Sequence, residues 1–102
     1  MNFKKSKYEE TSLYKVKHEK AYWAILNIIN EVDPVGIAFV YEEEYGIEVL
    51  EIMANLKSCS SAKETKGLII DVFDAYFGMT IYHQLFTIEV AANVFDCLKL
   101  MQ

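Results

Sequence analysis

Asn30-Glu31-Val32-Asp33-Pro34 decides the fold, together with Glu44-Tyr45-Gly46-Ile47-Glu48-Val49 ten residues on. The only proline of the chain stands in the first stretch, between two strongly helical patterns. Proline lacks an N–H and clashes with the preceding turn, so the first long helix must end there. It also biases Asp33 away from helical dihedrals. Asp33 is then placed to cap a new short helix, with Pro34 at its first position. Val35-Gly36-Ile37-Ala38-Phe39-Val40 would form that helix, and a buried strand is the competing reading of so short an apolar run.

Upstream, Tyr22, Ile25, Leu26, Ile29 and Val32 recur at steps of three and four from a helical pattern that begins at Ser12. Trp23, Asn27 and Asn30 share a different face. Downstream, Glu42, Glu43 and Glu44 lead into a helix over 46–57. Acids there are favoured by the helix macrodipole, by roughly 0.3–1 kcal/mol each. Val49, Ile52, Met53 and Leu56 make its apolar face, and Glu48, Glu51 and Asn55 are expected outside. Ser58-Cys59-Ser60-Ser61 is a loop. Ser61 and Glu64 form a capping box, and Gly78 stops the helix that follows. Its inner face is Ile69, Val72, Phe73, Tyr76 and Phe77, with Asp71 and Asp74 pointing away. Residues 79–86 read as an ordered connection of mixed character. Thr87 caps a last helix with Val90, Val94, Cys97, Leu98 and Met101 on one side.

The expectation is an all-α fold: one compact domain over 12–102, with four main helices and a short one after Pro34. A flexible Lys-rich arm over 1–11 precedes it. A length of 102 residues fits one domain, and 53% hydrophobic residues suffice for a core. Scarce glycine (4) and proline (1) disfavour an all-β sandwich, which needs many turns.

Net charge is −5 and unevenly spread. Residues 1–20 hold six Lys against three Glu, whereas residues 21–102 hold four Lys against twelve acids. All ten basic residues are Lys. Arginine is the usual reader of phosphates and base edges, so its absence from an acidic body argues against nucleic acid. A basic protein partner fits better. The plainer reading is that the charge maintains solubility. Cys59 and Cys97 form no CxxC pair and suit free thiols in a reducing cytoplasm. Asn27, Asp71 and Asp74 interrupt the apolar runs before they reach a membrane span of about 20 residues. No signal peptide is legible. Cytoplasmic localisation follows as the expectation.

Catalytic chemistry is hard to find. His18 and His83 are the imidazoles, and neither adjoins a Ser or Cys nucleophile motif. No HExxH, Cys/His spacing or EF-hand loop occurs, so neither a metal nor another cofactor is expected. Consecutive Glu42, Glu43 and Glu44 diverge too much to form a coordination cage. The expected role is non-catalytic, through protein–protein contact, with self-association as an option. Trp23, Tyr41, Glu42, Glu43, Glu44 and Tyr45 are the candidate contact residues, because Tyr and Trp beside acids typify interaction hot spots. Alternatively Trp23 packs under the arm and the tyrosines cover the helix junction. One alternative function is an immunity protein neutralising a basic toxin. Another is a small hydrolase or metal-dependent enzyme using His83 with Asp71, Asp74 or the glutamates.

Asn30, Glu31, Asp33 and Pro34, then Glu44, Tyr45, Glu48 and Val49, resemble the YugE-like family of small bacterial proteins, a domain of unknown function. Phe73, Phe77 and the run Val90-Ala91-Ala92 extend the resemblance across about residues 21–100. It implies an all-helical fold and brings no catalytic residues. Three features depart from the family pattern: the Lys-rich arm, Val32 before Asp-Pro, and Gly46 after Glu-Tyr.

Overall fold

The computed structural model describes residues 11–38, 40–78 and 84–102. Over these residues the chain forms helices and turns without a strand. The helices are α1 (Leu13–Lys17), α2 (Glu19–Val32), α3 (Gly46–Leu56), α4 (Ala62–Phe77) and α5 (Ile88–Asp96). A 3-10 turn, Cys97–Met101, follows α5. The expected all-α class therefore holds, with four long helices and one short one. The short element lies ahead of the others as α1, however, and residues 34–38 form turns and a bend rather than a helix. Phe39 lies outside the described residues. So do residues 1–10 of the expected arm, and Tyr82 and His83 in the 79–86 connection. Thr11, assigned to the arm, is 2% exposed.

The caps explain where the helices begin and end. Ser61 Oγ accepts the Glu64 N–H at 3.2 Å. Glu64 Oε1 reaches back to the Ser60 N–H at 2.7 Å, one residue earlier than in the standard box. Thr87 Oγ1 accepts the Val90 N–H at 3.1 Å. Gly78 ends α4 with φ 67°, a left-handed conformation that glycine adopts freely. The break between α1 and α2 falls at His18, whose φ and ψ of −130° and 54° leave the helical region. The sequence pattern, still apolar-periodic through Tyr14 and Tyr22, gives no sign of this break.

One apolar core joins the helices. Ile25, Leu26 and Ile29 of α2 meet Ile52, Met53 and Leu56 of α3, all 0% exposed. Leu68, Ile69, Val72 and Phe73 enter from α4, and Ala91 and Val94 from α5. Phe86, just ahead of α5, is also fully buried, its ring 4.9 Å from that of Phe73. Burying each such aliphatic or aromatic side chain stabilises the fold by about 1.5–3 kcal/mol.

Helix α3 is enclosed on nearly every side, and this reverses part of its expected polarity. Glu48 and Glu51, expected outside, are 5% and 0% exposed, whereas Ile47 is 47% exposed. Packing between α2 and α4 overrides the amphipathic pattern: a helix apolar nearly all round goes to the interior, taking its few polar residues along. Glu48 sits in the first turn, where the helix N-terminus favours a negative charge. Glu51 Oε1 accepts the Tyr76 hydroxyl at 3.0 Å, which ties α3 to α4.

Gly46 opens α3 under tight clearance. A Cβ there would stand 2.7 Å from the hydroxyl of Tyr22, a residue only 2% exposed. That hydroxyl is itself pinned by Glu43, so it cannot swing aside. Gly46→Ala should therefore destabilise the protein by about 1–2 kcal/mol despite alanine's better helix propensity. Urea unfolding monitored by circular dichroism measures the change, and unaltered or raised stability would contradict the assigned clearance.

Candidate functional site

The α2–α3 connection, residues 33–45, carries most of the predicted contact residues. Its geometry starts at Asp33, which ends α2 in the left-handed region with φ 46° and ψ 60°. Asp33 was expected to cap a new helix from an extended conformation. Instead its carboxylate folds over the turn that follows. Oδ1 accepts the N–H groups of Ile37 and Ala38, each at 3.0 Å, and the Tyr45 hydroxyl at 2.7 Å. The Val35 N–H donates to the same Tyr45 oxygen at 3.0 Å. Asn30 adds a further tether, its Nδ2 donating to the Glu42 carbonyl at 3.0 Å.

Tyr45 is consequently a core residue, and its place among the predicted contact residues is corrected. It is 0% exposed, with its ring 5.8 Å from Phe73 and 6.4 Å from Phe77. The ring packs in the apolar core while the hydroxyl faces the underside of the loop. Burial, and then the Asp33 hydrogen bond, push the phenol up to about 12. The Tyr45 hydrogen bond, followed by the Ala38 N–H, holds the Asp33 carboxyl below its ordinary range.

Glu43 anchors a second cluster. Lys15 Nζ lies 2.6 Å from Glu43 Oε1, and the Tyr22 hydroxyl donates to the same oxygen at 2.7 Å. The Tyr41 hydroxyl donates to Oε2 at 3.2 Å. These contacts lower the Glu43 pKa, the Lys15 hydrogen bond contributing most. The Glu43 charge raises the Tyr41 phenol in turn. Lys15 Nζ also lies 5.2 Å from the centre of the Tyr22 ring and 5.6 Å from that of Trp23. Trp23 is half-buried and meets Tyr22 edge-on at 5.3 Å.

The six predicted contact residues therefore separate. Tyr45 is interior, Glu43 is bound within its own chain, and Trp23 and Glu44 are half-buried. Tyr41, at 56% exposure, and Glu42 remain outward. Ile47 and Val40, at 47% and 62% exposure, extend the apolar part of this surface. Sequence periodicity gave Ile47 no special place. An apolar residue directly after Gly46, off the Val49–Ile52–Met53–Leu56 face, was the available sign. Tyr41, Glu43, Lys15 and Ile47 border one open cavity of about 320 Å³.

The groups considered for catalysis are dispersed. His18 is half-buried between α1 and α2, its ring 6.1 Å from Tyr14. His83 lies outside the described residues. Asp71 and Asp74, expected to point away, are half-buried on α4. Among the described residues no three His, Cys, Asp or Glu side chains converge in a way that would hold a metal ion. Cys59 and Cys97 are buried free thiols, both pushed up chiefly by burial, which suppresses the reactive thiolate. No described helix is long and apolar enough to cross a membrane.

The Asp33–Tyr45 pair has a pH signature. A lowered carboxyl adds stability above its ordinary pKa, about 3.9, and loses that contribution as the pH falls further. A raised phenol adds stability below about pH 10 and loses it as the pH climbs toward the folded-state value. Tyr45→Phe removes the shared hydroxyl and should cost about 1–3 kcal/mol near neutral pH. It should also flatten the stability profile on both the acid and alkaline sides. Urea midpoints measured from pH 2.5 to 11 test this, and parallel profiles for the two proteins would refute the assignment. Comparisons with family models, with curated proteins and with solved structures return no match to this chain.

Proposed function

We propose that this chain is a non-catalytic interaction protein that binds a basic polypeptide through its α2–α3 connection. The observation that carries the reading is Tyr41: it is outward-facing, yet its hydroxyl is held by Glu43. Binding usually loses affinity when side chains and loops must be ordered. Here the loop beneath Tyr41 is already tethered through Asp33, Tyr45 and Asn30. A preordered aromatic with Val40 and Ile47 nearby supplies apolar contact, and Glu42 supplies negative charge. Aromatic anchors of this kind dominate binding energy, while rim charges mainly steer encounter and orientation.

An inhibitor of a basic toxin is a special case of the same reading. Kinship with the YugE-like group of small bacterial proteins belongs to the proposal as well. Its Asn30, Asp33 and Tyr45 motif residues are the tethers of the connection, so a protein sharing them would share this loop. Their roles here are architectural, which leaves Tyr41, Glu42 and Ile47 free to differ with the partner.

The immobilised chain should retain a basic polypeptide that is released at ~0.5 M salt. Tyr41→Ala should weaken that complex by about 30-fold, an effect typical of a hot-spot residue. Glu42→Lys should mainly slow association. Tyr45→Ala is unsuitable as a probe because it opens the core. Calorimetry or surface plasmon resonance, with circular dichroism confirming an unchanged fold, measures these effects. A partner bound equally well by wild type, Tyr41→Ala and Ile47→Asp would sink the proposal.

A further inference from the structure

The outer face of α4 has a feature that the Tyr41 surface does not explain. A groove of about 760 Å³ runs along this helix, bordered by Lys63, Glu64, Gly67 and Asp71, with Asn55 of α3 on its other side. Leu68 and the buried Cys59 contribute its apolar part. Gly67 lies in the interior of α4 and is exposed. A Cβ at Gly67 would meet nothing within 4 Å. Glycine is a poor helix former, and no close approach within this chain requires it here. A close approach from outside would.

The charges around Gly67 identify the visitor. Lys63 is four residues before it and Asp71 four residues after, so all three share one helical face. The two charges lie about 6 Å to either side of Gly67 along the axis, too far apart to pair with each other. Neither has an ion-pair partner among the described residues. A second α4 crossing antiparallel at Gly67 would set each Lys63 opposite the Asp71 of the other copy. A two-fold interface makes such contacts reciprocally, so one surface satisfies both charges twice. Glu64 borders the same groove but is already held by the Ser60 N–H and hydroxyl, at 2.7 and 2.9 Å, which leaves Lys63 and Asp71 as the charges open to a second copy.

We propose that two copies of this chain associate through α4, packed antiparallel about Gly67 and held in register by reciprocal Lys63–Asp71 pairs. Glycine at the crossing lets the helix backbones come closer than a side chain would allow. The interface is separate from the Tyr41 surface, so either reading can fail alone.

Sedimentation velocity from ~10 μM to ~1 mM, at ~50 mM and ~0.5 M salt, tests the proposal. A concentration-dependent dimer, weaker at high salt, is expected. Lys63→Asp or Asp71→Lys alone should raise the dissociation constant at least about tenfold, because like charges would then face each other. The double variant Lys63→Asp/Asp71→Lys should recover affinity. Gly67→Leu should abolish the dimer without lowering the thermal midpoint of the monomer, given the open space around that position. A chain that stays monomeric throughout, a dimer indifferent to Gly67→Leu, or a double reversal no better than the single ones would overturn the proposal.

Discussion

The hydroxyl of Tyr45 links the interior of this protein to its main surface loop. Its ring belongs to the aromatic group formed with Phe73 and Phe77, while its oxygen donates to Asp33 and accepts from Val35. Asp33 in turn satisfies the Ile37 and Ala38 N–H groups, which no regular element would satisfy. Core packing and loop shape therefore share one set of contacts. Without that oxygen, a half-buried carboxylate and a run of turns would each lose a fixed partner. The outward position of Tyr41 is a secondary result of the same arrangement.

Much of the fold was legible because local signals and tertiary packing agree. The Ser61 and Thr87 caps, the Gly78 stop and the 3.6-residue periodicity of α2, α4 and α5 each state in sequence what the structure does. Pro34 ends α2 for the expected steric reason. The segment after it was harder to read. Asp33 is favoured both as a helix N-cap and as a residue tolerant of the left-handed conformation, and only the distant Tyr45 selects between those roles.

The polarity of α3 was the larger misreading. Periodicity treats a helix as having one dry side, whereas α3 is enclosed by neighbours whose arrangement no local window contains. Glu51 is accommodated by Tyr76, twenty-five residues away, and Glu48 by its place at the helix N-terminus. The candidate site was only half legible for the same reason. Tyr41 and Tyr45 look equivalent as aromatics flanking glutamates, yet Phe73 and Phe77 draw one inward and leave the other on the surface.

Residues 33–45 form a connection long enough to be called a loop, yet they behave as a strut. Surface loops usually accept insertions readily because lengthening them adds little closure entropy. Here the spacing between Asp33 and Tyr45 is set by contacts at both ends and by the Asn30 hold on Glu42. Chain added between Asp33 and Glu42 would separate groups that meet at hydrogen-bond distance. The connection thus constrains how such a sequence can vary in length. Side chains can change on its outer edge at constant spacing, while indels and grafted peptides are better accommodated elsewhere.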